Sequence, residues 1–373
     1  MKVNHKKISK LLKKTFKTKT SMYLEGAAGI GKSYLVRQEA KLEAVRLERE
    51  FIDFLSLPTA HKVILANPAN VKARSGKYLF VDFRVAQADP TDMKGVPSMI
   101  NDYVTWLPPM FLKILSYPEA AGIIFLDELN LAPPSVQGAA YQLVLDKAIG
   151  EIALSKQVTI IAAGNRLTDK ASVFDRAAPL KNRFRNVELT VPSPKEWIDD
   201  FALANKIDER LIAYVKFSNK VFEDYTKKTT GDNFMTPRSL VALSKDIEGE
   251  TLANELYDYA SSLIGEADAI KFKEFIKLRD TIDLPDLLAN PEKFGKLPID
   301  LKYATISALT GYYAQNGSKV VKQFGPLISG NHVTADLAVI LIKMCQSANN
   351  RFKSTLLADP DVAEAVADYV KYL

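Results

Sequence analysis

The chain has 373 residues, of which 47% are hydrophobic and 25% charged, so it is too long for one small core and too apolar for disorder to be its main state. The net charge of +6 is local: Lys2, Lys6, Lys7, Lys10, Lys13, Lys14, Lys17 and Lys19 give the first twenty residues +8 with no acid, which leaves −2 for the rest. A single cysteine, Cys345, excludes an internal disulfide and, with only His5, His61 and His332 beside it, argues against zinc; no apolar run is long enough for a membrane span, and the basic start lacks the apolar core of a signal peptide, so a cytoplasmic setting is expected.

Residues 4–17 place Ile8, Leu11, Leu12 and Phe16 at helical spacing with lysines between them. Two uses stay open. The helix can pack its apolar stripe on the next domain with the lysines in water, or it can contact a nucleic acid or a membrane surface. Residues 21–24 then read as a short apolar strand.

The next stretch, Gly26-Ala27-Ala28-Gly29-Ile30-Gly31-Lys32-Ser33, has the spacing G-x-x-x-x-G-K-[ST] of a phosphate-binding P-loop, and residues from Tyr34 to Ala40 lead out of it as a helix. Glycines let backbone N–H groups approach a polyanion, and the helix N-terminus adds the positive end of its dipole. Lys32 can reach terminal phosphates and the Ser33 hydroxyl can ligate magnesium.

Residues 33–55 read as one long helix stopped by Pro58, and 57–76 as an irregular connection. Residues 77–85 read as a strand. The turn-rich loop Asp89-Pro90-Thr91-Asp92-Met93-Lys94-Gly95 precedes a hairpin whose turn falls near 98–102, and a helix covers about 110–116. Residues 121–128 form a buried-type strand ending in Asp127 and Glu128, the Walker B pattern. Adjacent residues at a strand end point opposite ways, so the two acids differ in task. Asp127 would hold magnesium, directly or through water, and Glu128 would orient and deprotonate an attacking water.

A helix at 135–147 and a short hairpin around Gly150 follow. Residues 158–165 read as a strand ending in Asn165, whose amide could touch a γ-phosphate or the attacking water. The segment Asn182-Arg183-Phe184-Arg185 leads into a strand at 186–191. From Pro192 the pattern turns helical, at about 194–205, 207–222, 236–247, 250–264 and 267–280, with further broken helices over 284–373. In Thr236-Pro237-Arg238 a cation sits in a helix's first turn against the dipole preference, which favours a ligand-facing role for Arg238. The expected domains are 1–191, 192–283 and 284–373.

Together these residues resemble a AAA+ ATPase over about 22–247. The loop at 89–95 and the hairpins on both sides of the Walker B strand make the chain similar to the MoxR and dynein-related group. That resemblance implies an α/β fold: a three-layer αβα P-loop core with a parallel sheet, an α-helical lid and here a helical C-terminal extension. It implies ATP and Mg2+ as the bound species, with Gly26 to Tyr34 and Asp127 around the nucleotide and Ser33 and Asp127 at the metal. Glu128 corresponds to the water-activating acid and Asn165 to the sensor-1 residue. Arg183 corresponds to an arginine finger, with Arg166, Arg176 and Arg185 near enough to compete, and Arg238 to the sensor-2 arginine. A homo-oligomeric ring, expected to be hexameric, would hydrolyse ATP between subunits to remodel a protein client, with a von Willebrand factor A domain as the partner common in this branch. The hairpin near 98–103 would face the pore or serve as a packing contact. The alternative is a nucleic-acid motor or loader that uses the lysine-rich start.

Overall fold

The computed structural model describes residues 1–166, 181–218, 221–222, 233–250, 252–330 and 332–367. They fall into two compact units, Met1–Val191 and Pro192–Leu373. In the first unit, in chain order, are β1 (Lys2–Val3), α1 (His5–Thr18), β2 (Met22–Glu25), α2 (Lys32–Arg46), β3 (Glu50–Asp53), α3 (Thr59–Ala66), α4 (Val71–Ser75), β4 (Lys77–Arg84), α5 (Pro90–Lys94), β5 (Val96–Ile100), β6 (Tyr103–Leu107), α6 (Met110–Leu115), β7 (Ala121–Asp127), α7 (Pro134–Asp146), β8 (Ala148–Ile149), β9 (Ile152–Ala153), β10 (Val158–Gly164) and β11 (Arg185–Leu189).

The central strands are apolar runs because both of their faces are covered. Consecutive residues, which point to opposite faces, are buried along 78–81 of β4, 121–126 of β7 and 158–164 of β10. Leu79, Val81, Ile124, Leu126, Ile160 and Ala162 form one face and share a core with Phe111, Leu112 and Ile114 of α6 and Val136, Ala140 and Leu143 of α7. The opposite face carries Phe80, stacked on Phe125 at 6.1 Å, with the Arg37 guanidinium of α2 lying 4.7 Å above the Phe80 ring. Helices thus cover both faces of one seven-stranded sheet ordered β1-β11-β2-β10-β7-β4-β3. Every pairing in it is parallel. This is the three-layer αβα P-loop architecture expected from the sequence.

Parallel pairing puts the C-terminal ends of β2, β4, β7 and β10 on one edge. Register fixes the neighbours there: Gly164 lies opposite Glu25, Ala162 opposite Leu126, and Arg84 opposite Asp127. In such sheets that edge is where ligands bind.

Two stretches differ from expectation. The single helix expected over 33–55 ends at Arg46, where the Leu47 N–H bonds back to Glu43 and Ala44 and Glu48 takes a left-handed φ of +55°. Residues 50–53 then pair with β4 as an edge strand, with Phe51 against Phe80 at 5.9 Å. The charged helix-forming composition runs past the break, and sheet pairing overrides it. The irregular connection at 57–76 contains α3 and α4, held by Arg74, which is 1% exposed. Its guanidinium pairs with Glu119 at 2.6 Å, donates to the Leu65 and Pro68 carbonyls at 2.9 and 3.0 Å and to the Asn67 carbonyl, and lies 3.8 Å over Tyr117. A buried cation organises this loop, and hydrophobic periodicity carries no sign of that. Two further elements are new, the strand β1 and the short helix α5 inside the 89–95 loop.

Both expected hairpins are present outside the main sheet. The β5–β6 turn falls at Asn101 and Asp102, whose φ values of +49° and +64° suit a type I′ turn. The β8–β9 turn uses Gly150 at φ +55°.

The second unit is helical. Pro194–Trp197 starts on a Ser193–Glu196 capping box and continues as one π turn over Ile198–Ala202. Glu209–Ser218 packs against Ile299–Asn316, which packs in turn against Ala335–Ala348. Tyr214 makes edge contacts with Phe272 and Phe275 at 5.4 and 5.6 Å. Helices from both sides of residue 283 therefore share one core. Cys345 is buried there, and burial raises its thiol pKa out of the reactive range. Among the described residues, no helix is long and apolar enough to cross a membrane.

Candidate functional site

The loop between β2 and α2 is shaped by its glycines. Gly29 and Gly31 take φ values of +74° and +92°, and a Cβ on Gly26 would meet Ile30 Cδ1 at 2.8 Å and the Leu189 carbonyl at 2.9 Å. The Gly26 N–H donates to the Gly164 carbonyl at 3.2 Å, tying the loop to the end of β10. Gly31 is the N-cap of α2, and no side chain caps that end. Ala27 and Ile30 are buried, Ala28 and Tyr34 exposed. The His5 Nε2 lies 2.9 Å from the Ile30 carbonyl, so α1 touches this loop.

Lys32 lies inside the loop, 8% exposed. Its ammonium donates to the Gly26 and Ala27 carbonyls at 2.7 and 2.9 Å and to Asn165 Oδ1 at 3.2 Å. The Ser33 hydroxyl donates to Asp127 Oδ2 at 2.7 Å. The helix leaving the loop and the strand ending in acids thus meet through one serine and one aspartate. Those two hard oxygens suit magnesium, which accepts few protein ligands and keeps its waters. Among the described residues, no group of three His, Cys, Asp or Glu side chains converges to hold a metal. A cation here would rest on that pair and on oxygens of its substrate.

Glu128 sits past the strand end with a φ of +56°, and its N–H donates to Asp127 Oδ1 at 3.0 Å. A left-handed glutamate is strained by about 1–3 kcal/mol and survives only where its surroundings impose it. The turn separates the two acids: Asp127 bonds to α2, while Glu128 is half-buried and leaves the strand direction.

Asn130 is a site residue the sequence reading passed over. It is 4% exposed; its amide donates to the Asn165 carbonyl at 2.7 Å, and its Oδ1 accepts the Asn165 N–H at 3.1 Å. This clamp fixes the Asn165 backbone while the side chain faces Lys32. Gly164 makes the approach feasible, since a Cβ there would lie 2.2 Å from Asn130 Oδ1. A polar residue between Leu129 and Leu131 was the available signal. One turn along α2 from Ser33, Arg37 bonds to Asp82 at 3.2 Å and to Asp53. Burial and the nearby Asp127 raise the Asp82 pKa, and Arg37 opposes that shift. The helix repeat of four and the strand repeat of two set this second pair directly behind the first.

The arginines separate by environment. Arg183 is exposed, whereas Arg185 donates to Thr15 Oγ1 at 3.2 Å and Arg166 lies 3.9 Å from Glu188 within the same chain. Arg176 lies outside the described residues. Arg238 belongs to the second unit. It is exposed in the first turn of Pro237–Asp246, which is capped by a reciprocal Thr236–Ser239 pair.

No family model and no curated protein matches the chain. Among solved structures it is similar to a RuvB mutant of Thermotoga maritima, at 17% identity and TM-score 0.33 over 78% of this chain and 73% of that one. It is similar to NtrX from Brucella abortus in complex with ATP, at 13% identity and TM-score 0.30 over 93% and 69%. It is also similar to the ORC2 protein of Aeropyrum pernix in ADPNP and ADP complexes, at 11% identity and TM-score 0.36 over 98% and 94%. At these scores a functional reading must come from the residues themselves.

Proposed function

We propose that this chain is a magnesium-dependent AAA+ ATPase. The observation that carries the reading is the meeting of Lys32, the Ser33–Asp127 pair, Glu128 and Asn165 at one edge of a parallel sheet. Lys32 would exchange its loop carbonyls for β- and γ-phosphate oxygens, and amides of the loop from Gly26 to Tyr34 would hold the remaining phosphate charge. Ser33 and Asp127 would hold magnesium, which neutralises charge on the phosphates when bound. Glu128 would take the proton of the attacking water, and Asn165 would orient that water. Arg183 would act on a neighbouring subunit's substrate. Arg238 would answer the γ-phosphate, a role drawn from the resemblance alone. The test is ATP turnover by the purified chain: Lys32→Ala should abolish ATP binding and phosphate release, and wild-type-like turnover would overturn the reading.

The finer assignment is to a MoxR-like remodelling ATPase that works as a hexameric ring in the cytoplasm on a protein client, with a von Willebrand factor A domain as a partner of the expected kind. Its support is the β5–β6 hairpin. Met99, Tyr103 and Val104 are 73%, 77% and 68% exposed, on an antiparallel ribbon outside the main sheet. An apolar ribbon held in solvent is costly unless it contacts something. Its base is pinned, because Gly95 at φ +85° lies so close to the Leu107 carbonyl that a Cβ would reach 1.9 Å from it. Removing residues 98–103 should leave ATP binding intact and abolish client-stimulated turnover. Unchanged stimulation would assign the ribbon to packing instead. Electron microscopy with and without ATP tests the ring, and absence of a closed ring with ATP would count against it.

A further inference from the structure

The lysine-rich helix α1 plays no part in the chemistry above. Its apolar residues Ile8, Leu12 and Phe16 are fully buried, so the helix is docked on its own domain. It packs on α2, where Ser9 donates to Glu39 at 2.5 Å, and Thr15 accepts from Arg185. Lys6, Lys7, Lys10, Lys13, Lys14 and Lys17 are all exposed. Lys10, Lys13, Lys14 and Lys17 have no ion-pair partner among the described residues.

Helix geometry orders these cations. At 3.6 residues per turn, Lys6, Lys10, Lys13 and Lys17 fall within about 60° of one another and span roughly 16 Å, with Lys7 and Lys14 along one flank. The stripe points away from the buried face. The helix's apolar face is already occupied, which removes the usual mode by which an amphipathic helix enters a membrane surface. The exposed face carries no large apolar or aromatic side chain. It therefore offers neither a stacking platform for unpaired bases nor an apolar anchor for a folded protein. What remains is a rigid straight row of cations with no acid, on a chain whose other residues sum to −2. A duplex presents one phosphate charge per about 1.7 Å of axis, so a stripe of this length meets several at once.

We propose that the lysine face of α1 is a docking surface for the phosphate backbone of a nucleic-acid duplex, bound without sequence readout. The inference stands apart from the ATPase reading, because it concerns residues that reading does not use.

The test is fluorescence anisotropy of the full chain with a labelled mixed-sequence DNA duplex, titrated with salt. With about four phosphates contacted, affinity should fall on the order of a hundredfold between about 50 mM and 200 mM salt. The combined variant Lys10→Glu, Lys13→Glu, Lys14→Glu and Lys17→Glu should lose duplex binding at low salt while keeping its circular dichroism spectrum and basal ATP turnover. If charge reversal prevents folding, the corresponding glutamine variant should show the same loss of affinity and a flattened salt dependence. Wild-type affinity in a folded variant would overturn the proposal, as would no duplex binding by wild type at low salt. Tighter binding to phosphatidylserine-containing vesicles than to duplex, lost in the same variant, would also overturn it and assign the surface to lipid.

Discussion

Glu128→Gln is expected to bind ATP as wild type does and to release phosphate about 10²–10⁴-fold more slowly, the usual range for loss of a positioned general base. The amide keeps the shape of the side chain and its place beyond β7 but cannot take a proton. Asp127 cannot substitute, since its carboxylate is engaged by the Ser33 hydroxyl and by the Glu128 N–H. Steady-state phosphate release measured beside equilibrium binding of a fluorescent ATP analogue separates the two effects. Turnover equal to wild type would remove Glu128 from the chemistry.

Arg183→Ala should cost on the order of a thousandfold in turnover, in line with arginine fingers supplied from a neighbour. The other described candidates are engaged within their own chain, Arg185 by Thr15 and Arg166 by Glu188, whereas Arg183 stands in solvent. A finger acting across subunits makes a distinctive forecast. Arg183→Ala chains retain an intact phosphate loop, and Lys32→Ala chains retain an intact finger, so mixing two inactive proteins should restore part of the activity. No recovery at any mixing ratio would place the finger elsewhere or put the active site within one chain.

The core of the fold was legible wherever chemistry constrains sequence locally. The P-loop spacing, the buried strand ending in Asp127 and Glu128, and the strand ending at Asn165 are local patterns, and parallel pairing brings them to one edge. The edge strand at 50–53 was not legible, because charged helix formers continue into it and only its pairing with β4 makes it a strand. Arg74 and Asn130 escaped for a related reason. Arg74 bonds backbone carbonyls of its own connection and the distant Glu119, and Asn130 bonds the backbone of the distant Asn165, so neither periodicity nor spacing marks them. Arg37 and Asp82, taken singly, are a helix charge and a strand charge, and only α2 lying across the sheet pairs them.

The left-handed backbone at Glu128 bears on how the protein can change. A glycine there would adopt φ +56° without steric cost and would relieve strain of about 1–3 kcal/mol. Glycine's greater freedom in the unfolded chain offsets about 0.5–1 kcal/mol of that relief, and the remainder is set against a whole margin of about 5–15 kcal/mol. Its cost would be the carboxylate itself. With Glu128 as the proposed base, stability and turnover would pull in opposite directions at this position, and a screen that rewards heat resistance alone would select against turnover.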